Sequence, residues 1–140
     1  MGIKQNQVGH KTETKIAQFF SKYSYWAFVI PKGINGQPFD IIARRKNITF
    51  FVDAKHLDSD FFPFDRIEPN QISSMKYAEK IAEIKDNMGF IINKDEEFYF
   101  LPYNIYNELK EQGHRGINVK NLEPLNEYLE RVENGSNNIK

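Results

Sequence analysis

The sequence predicts a mixed β-sheet flanked by helices, an α/β (α+β) fold in a single domain over residues 1–133. Three observations carry that expectation. An amphipathic stripe near the N-terminus marks a helix, and two pairs of short β-branched and aromatic runs mark hairpins. Prolines then open further helical segments. With 140 residues, 40% of them hydrophobic and 14% aromatic, the chain suffices for one real core and is too short for two ordinary domains.

The elements follow in order. Residues 1–8 are polar and predicted to be loose. From Gly9 to about Tyr23, the apolar positions Ile16, Phe19, Phe20 and Tyr23 fall at i, i+3, i+4 and i+7, one face of a helix. Tyr25–Ile30 reads as a strand ended by Pro31, and Lys32–Gln37, with two glycines, as a loop. Pro38–Ile42 and Ile48–Asp53 form a hairpin across the polar Arg44–Asn47. His56–Ile67 shows no periodicity and reads as a loop packed on the body. Pro69 suits the first turn of a helix carried to about Asp86 by Ile72, Met75, Ala78, Ile81 and Ala82. Gly89–Asn93 and Glu97–Leu101 make a second hairpin, Pro102 opens a short helix stopped by Gly113, and Pro124–Val132 is a last helix. Residues 134–140 are predicted to be a disordered tail. The order is α-β-β-β-α-β-β-α-α.

Composition excludes several chemistries. Without cysteine there is no disulfide, thiolate metal site or cysteine nucleophile. The three histidines, His10 and His56 among them, show no zinc spacing. No apolar stretch approaches the roughly 20 residues of a membrane span, and no signal-peptide core is present, so a cytoplasmic protein without a membrane partner is expected. Nineteen basic residues balance 19 acidic ones. That neutrality counts weakly against nucleic-acid binding. Lys4, His10, Lys11 and Lys15 nevertheless cluster near the start, and Arg44, Arg45 and Lys46 at the hairpin tip, so phosphate could be held on one side only.

The first hairpin brackets Asp40 and Asp53-Ala54-Lys55. With Lys46 and Asn47 as the loop residues, Arg45 faces Ile48, and counting back sets Asp40 opposite Asp53. Side chains so placed lie about 4.5–5.5 Å apart at Cβ, and two like charges there repel unless something positive sits between them. A hard divalent cation such as Mg2+ is the natural candidate. Lys55 leaves the same strand face as Asp53. An acidic residue two before a lysine also occurs at Glu13-Thr14-Lys15, Glu83-Ile84-Lys85 and Glu108-Leu109-Lys110, but on predicted helices, where such positions point apart.

These residues resemble the PD-(D/E)xK nuclease superfamily, the restriction-endonuclease-like fold. Pro38-Phe39-Asp40 matches the acidic element, Asp53-Ala54-Lys55 the D/E-x-K element, and Glu13, four after Gly9, the preceding helix acid. Phe62-Pro63-Phe64, Asn70-Gln71-Ile72 with Met75, Met88–Ile92 and Phe98–Leu101 are similar to the RecU-type Holliday junction resolvases. The similarity runs from about Gly9 to about Leu109. Two features depart from that branch. Asp53 stands where it usually has glutamate, one methylene longer, and Pro31–Pro38 leaves no room for its stalk insertion. The chain looks like a shortened form, of the kind a bacterial phage or mobile element encodes.

The resemblance implies a metal-dependent DNA endonuclease that leaves 5′-phosphate ends, acts on branched DNA and works as a homodimer. Asp40, Asp53 and the backbone carbonyl of Ala54 would hold Mg2+, with Mn2+ expected to substitute, and Glu13 would join directly or through water. Lys55 would stabilise the phosphate under attack, and Gln71 would lie beside it. Lys11, Lys15, Arg44 and Arg45 would contact the DNA backbone. Each has an ordinary counterpart: strand-end caps for the aspartates, an edge lysine, a dipole-favoured helix acid, a surface glutamine and solvated charge clusters. Phe61, Phe62 and Phe64 could stack on bases or serve as core or dimer contacts. Three other functions stay open: a restriction or repair nuclease on linear duplex, a catalytically silent DNA-binding module on the same fold, and a protein-binding subunit.

Overall fold

The structure, a computed structural model, describes residues 2–138 apart from 33–36, 38 and 84–86, with the backbone alone for 2–10 and 135–138. Most of the loop expected over 32–37, together with Pro38, the last turn predicted for the second helix and the side chains of Lys4 and His10, lies outside the described residues. The elements are α1 (Gly2–Lys22), β1 (Trp26–Val29), β2 (Ile41–Arg45), β3 (Ile48–Leu57), β4 (Phe61–Pro63), α2 (Pro69–Ala82), β5 (Met88–Lys94), β6 (Glu97–Pro102), α3 (Tyr103–Glu111), β7 (Gly116–Asn118), β8 (Glu123–Pro124) and α4 (Leu125–Asn138). Two single 3-10 turns cover Phe64–Arg66 and Val119–Asn121.

Six strands form one mixed sheet in the order β1-β2-β3-β5-β6-β8. Its neighbours are antiparallel except β3 and β5, which run parallel at the centre. The first hairpin has the predicted register: Arg45 pairs with Ile48, and Ile41 with Val52. Along β3 the side chains alternate between two cores. Phe50, Val52 and Ala54 join Ile16 and Phe20 of α1 and Leu125 and Leu129 of α4. Phe51 and Leu57 join Met75 of α2, Tyr103 and Tyr106 of α3, and Phe62. The same alternation turns Asp53 and Lys55 toward α2. Edge-on aromatic contacts knit the first core, Phe50 meeting Phe100 at 5.7 Å and Phe100 meeting Tyr128 at 4.7 Å between ring centroids. Such contacts add to the area each ring buries.

Several elements differ from the expectation. α1 begins at Gly2, because residues 2–8, although polar, contain no proline and simply extend a helix already nucleated over the apolar stripe. The expected loop at 56–67 carries the end of β3 and then β4, which pairs with β7 in a two-stranded sheet. β4, β7 and β8 are two or three residues each, too short to show an alternating pattern. α4 runs to Asn138, past Val132 and over residues expected to be a tail, since each residue added to a formed helix gains a hydrogen bond.

Gly89 in β5 lies opposite Pro102, and a Cβ there would stand 2.2 Å from the Leu101 carbonyl oxygen and 2.9 Å from Pro102 Cα. Both neighbours are backbone and cannot step aside. Gly89→Ala is expected to lower unfolding stability by about 1–3 kcal/mol, read as a lower urea midpoint at unchanged slope.

Candidate active site

The site arises because β3 outruns β2. Backbone pairing between them stops at Ile41 and Val52, whereas β3 continues to Leu57 against β5. Asp40 sits just where β2 begins, its N–H donating to the Val52 carbonyl (2.9 Å) and its own carbonyl accepting from Ile30 N–H (2.7 Å). Phe39, buried against Phe51, anchors it from behind. The Ala54 N–H, which lacks a strand partner on that edge, instead donates to Asp40 Oδ2 at 2.8 Å. A strand residue sends its N–H and C=O to the same side, so the Ala54 carbonyl leaves toward that edge too.

Asp53 is 2% exposed. Its Oδ1 accepts from Gln71 Nε2 at 2.7 Å, while Oδ2 lies 3.2 Å from Lys55 Nζ without a hydrogen bond to it and has no other hydrogen-bond partner among the described residues. Burial pushes the Asp53 carboxyl well above the ordinary aspartate value, and the Asp40 charge adds to that; Lys55 opposes both and does not prevail. Lys55 Nζ donates to Gln71 Oε1 at 3.1 Å. One amide therefore bridges the pair, nitrogen toward the carboxylate and oxygen toward the ammonium. Its orientation is set further by Glu68 N–H, which donates to the same Oε1 at 3.3 Å. Gln71 is the third residue of α2, so the amide that closes the helix start also holds the lysine.

Glu13 arrives from the opposite face of the sheet. On a helix it shares a stripe with Ile16 and Phe20, at i, i+3 and i+7, and is carried inward with them. Burial first, then the charge of Asp40, pushes its carboxyl up, and Lys32, 3.4 Å from Oε1, pulls it back. Asp40 is thus the common neighbour of two buried carboxylates. Among the described residues no three histidine, cysteine or acidic side chains gather closely enough to hold a metal ion by themselves. Two carboxylates, one of them carrying the orphaned Asp53 Oδ2, and a strand-edge carbonyl nevertheless suit Mg2+, which keeps several waters and takes its other ligands from substrate phosphate.

The four expected DNA contacts fall elsewhere. Lys11 and Lys15 are exposed on the side of α1 away from Glu13. Arg44 is exposed and donates to Thr49 Oγ1 at 2.6 Å, and Arg45 is ion-paired with Glu133 of α4. Both arginines lie at the far end of β2 from Asp40, about 13–17 Å along the strand. The α2 capping contact through Gln71 has one local signal, the capping-box spacing of Glu68-Pro69-Asn70-Gln71, whereas Lys32, whose partner lies nineteen positions back in the chain, has none.

An acid whose folded pKa is raised holds its proton more tightly folded than unfolded. Stability therefore falls as pH rises from the unfolded value, near 3.8, through the folded one, and the loss is complete above it. In chelator, Asp53→Asn should abolish much of this decline and melt about 3 °C above the parent near neutral pH, keeping an oxygen for Gln71. Calorimetry across the acid-to-neutral range checks this. A variant that melts lower at neutral pH would contradict a burial penalty at Asp53.

No family model matches the sequence, and no curated protein matches it. Among solved structures, Hjc of Archaeoglobus fulgidus, a Holliday junction resolvase from an archaeal hyperthermophile known at 1.6 Å resolution, is similar with a TM-score of 0.65 at 12% sequence identity. The match covers 86% of this chain and 99% of that one. The expected mixed sheet flanked by helices is present, and this chain shares its fold with that protein.

Proposed function

We propose that this chain is a divalent-metal-dependent DNA endonuclease that hydrolyses phosphodiesters in branched DNA. The observation that carries the reading is the Asp40–Ala54 tie with Asp53, Lys55 and Gln71 locked beside it. The fold shared with a Holliday junction resolvase supports the substrate class. Within that class, Phe62-Pro63-Phe64 and Asn70-Gln71-Ile72 favour the RecU-type branch, without its stalk.

Mg2+ or Mn2+ held by Asp40, Asp53 and the Ala54 carbonyl would polarise the scissile phosphate and lower the pKa of a bound water. The chain's own groups do the rest. Asp40 keeps one oxygen on Ala54 N–H, so its carboxylate cannot swing away from Asp53. Lys55, with 13% of its side chain exposed, is partly open to solvent, as Asp40 and Gln71 are, and its ammonium would meet the negative charge that builds on the phosphate. Gln71 fixes the direction in which that ammonium points. Glu13, beside Asp40, would position a water or hold a second ion. Exposed Lys11, Lys15 and Arg44 would add weak backbone contacts, whereas Arg45 has its charge committed to Glu133.

Symmetric incision of a four-way junction takes two active sites, hence a two-fold pair of chains. Trp26 and Phe28 support a surface for it. They stack 6.0 Å apart and within 2° of parallel on the edge strand β1, at 62% and 45% exposure.

Lys55→Ala should lower the Mg2+-supported nicking rate about 100- to 1,000-fold with DNA affinity retained, and Gln71→Ala about 10- to 100-fold. An unchanged rate in Lys55→Ala would leave a silent DNA-binding module instead. Millimolar Mg2+ should raise the melting temperature of the parent and not that of Asp53→Asn. In competition among a four-way junction, a flap and a linear duplex, the junction should be cut first; preference for the linear duplex would favour a restriction or repair enzyme. Trp26→Ala with Phe28→Ala should convert a dimer to a monomer in light scattering.

A further inference from the structure

A wide cleft lies across the first turn of α2 from the candidate active site. It encloses about 850 Å3 between β4, the turn at Phe64–Arg66, α2, α3 and the segment at His114–Arg115. Pro69 and Ser73 line it, two positions either side of Gln71, and so stand about 160° round the helix from the amide that holds Lys55. The separation is about one helix diameter, 10–12 Å. A nucleic-acid strand advances about 3.4 Å per stacked nucleotide, so the near wall of the cleft stands about three to four nucleotides from the amide that holds Lys55.

Its lining is aromatic and basic together. Phe61 is 49% exposed, yet its ring is seated on the backbone of β7, because Gly116 has no Cβ; one there would stand 2.4 Å from the ring. Phe64 and Tyr106 form the floor, edge-on at 5.0 Å, and Lys110 hangs over the Tyr106 ring at 5.8 Å. Lys110, Arg115 and His114 stand at the cleft against a single carboxylate, Asp65. A fixed exposed ring beside clustered cations is how single strands are bound without regard to sequence, bases on the ring and phosphates on the charges. An apolar small molecule would use the rings and leave the basic excess unanswered.

We infer that this cleft takes an unpaired DNA segment next to the cleavage position, a base stacking on Phe61 and its phosphates meeting Lys110 and Arg115. The inference rests on the nuclease reading and deepens it. In a chain with no room for a stalk, unpaired bases at a branch are sensed here.

The test uses the full chain in chelator with two oligonucleotides of equal length, one fully paired and one with three unpaired nucleotides, 2-aminopurine among them. The parent should quench 2-aminopurine on binding. Phe61→Ala should lose the quenching and bind the unpaired DNA about tenfold more weakly, with paired duplex affected far less, and Phe61→Tyr should restore both. Arg115→Ala, exposed and outside the core, should flatten the salt dependence of binding to the unpaired DNA by about one unit of slope. Equal quenching by Phe61→Ala and parent, or equal loss on both DNAs, overturns the inference, as does an Arg115→Ala salt slope identical to the parent's. A parent that nicks DNA with Mg2+ while Phe61→Ala quenches normally loses the cleft and keeps the nuclease. A parent that quenches through Phe61 but never nicks keeps the cleft and loses the nuclease.

Discussion

The rest of the molecule depends on a carboxylate held in a place that water does not reach. Asp53 lies between a second acid and a lysine, on a strand whose neighbour has just ended. Taking an ionised carboxylate out of water costs several kcal/mol after relaxation, and one lysine and one amide offset only part of that. The fold tolerates the arrangement because both faces of β3 are tied into cores elsewhere. Phe50 and Val52 anchor it on one side, Phe51 and Leu57 on the other, so the stretch between them has no freedom to turn its acid outward.

Around that acid the two layers of helices contribute differently. α1 delivers Glu13 through a stripe otherwise made of core residues, and α2 delivers Gln71 through its first turn. Each helix is positioned by apolar burial and brings one polar group inward with it. The Asp40–Ala54 hydrogen bond joins the two halves, since Asp40 senses Glu13 on one side and Asp53 on the other.

Much of this was legible in the residues. A two-residue turn at Lys46-Asn47 fixes the register by counting, and with it the approach of Asp40 to Asp53 and the side of the strand from which Lys55 leaves. Helices with four or more apolar positions in register were equally readable. Strands of two or three residues were not, because β4, β7 and β8 are specified by partners more than 20 residues away and carry no period of their own. Charge placement was the least legible. Arg45, a candidate phosphate contact, is also ion-paired with Glu133 of α4, and Glu13, which the sequence left open between metal site and dipole-favoured helix acid, is carried inward by its stripe. No local pattern foretells a long-range ion pair.

The first turn of α2 has a consequence for how this protein can change. One of its sides is committed to the lysine through a single amide, and the other forms a wall of the aromatic cleft. A rigid body gripped on two sides cannot be retuned on one alone. Rotating it to reshape what enters the groove would misaim the ammonium, and loosening it to relieve the ammonium would let the groove sag. Diversification is channelled instead into Phe61, Lys110 and Arg115, which border the groove from other elements and leave that turn where it is.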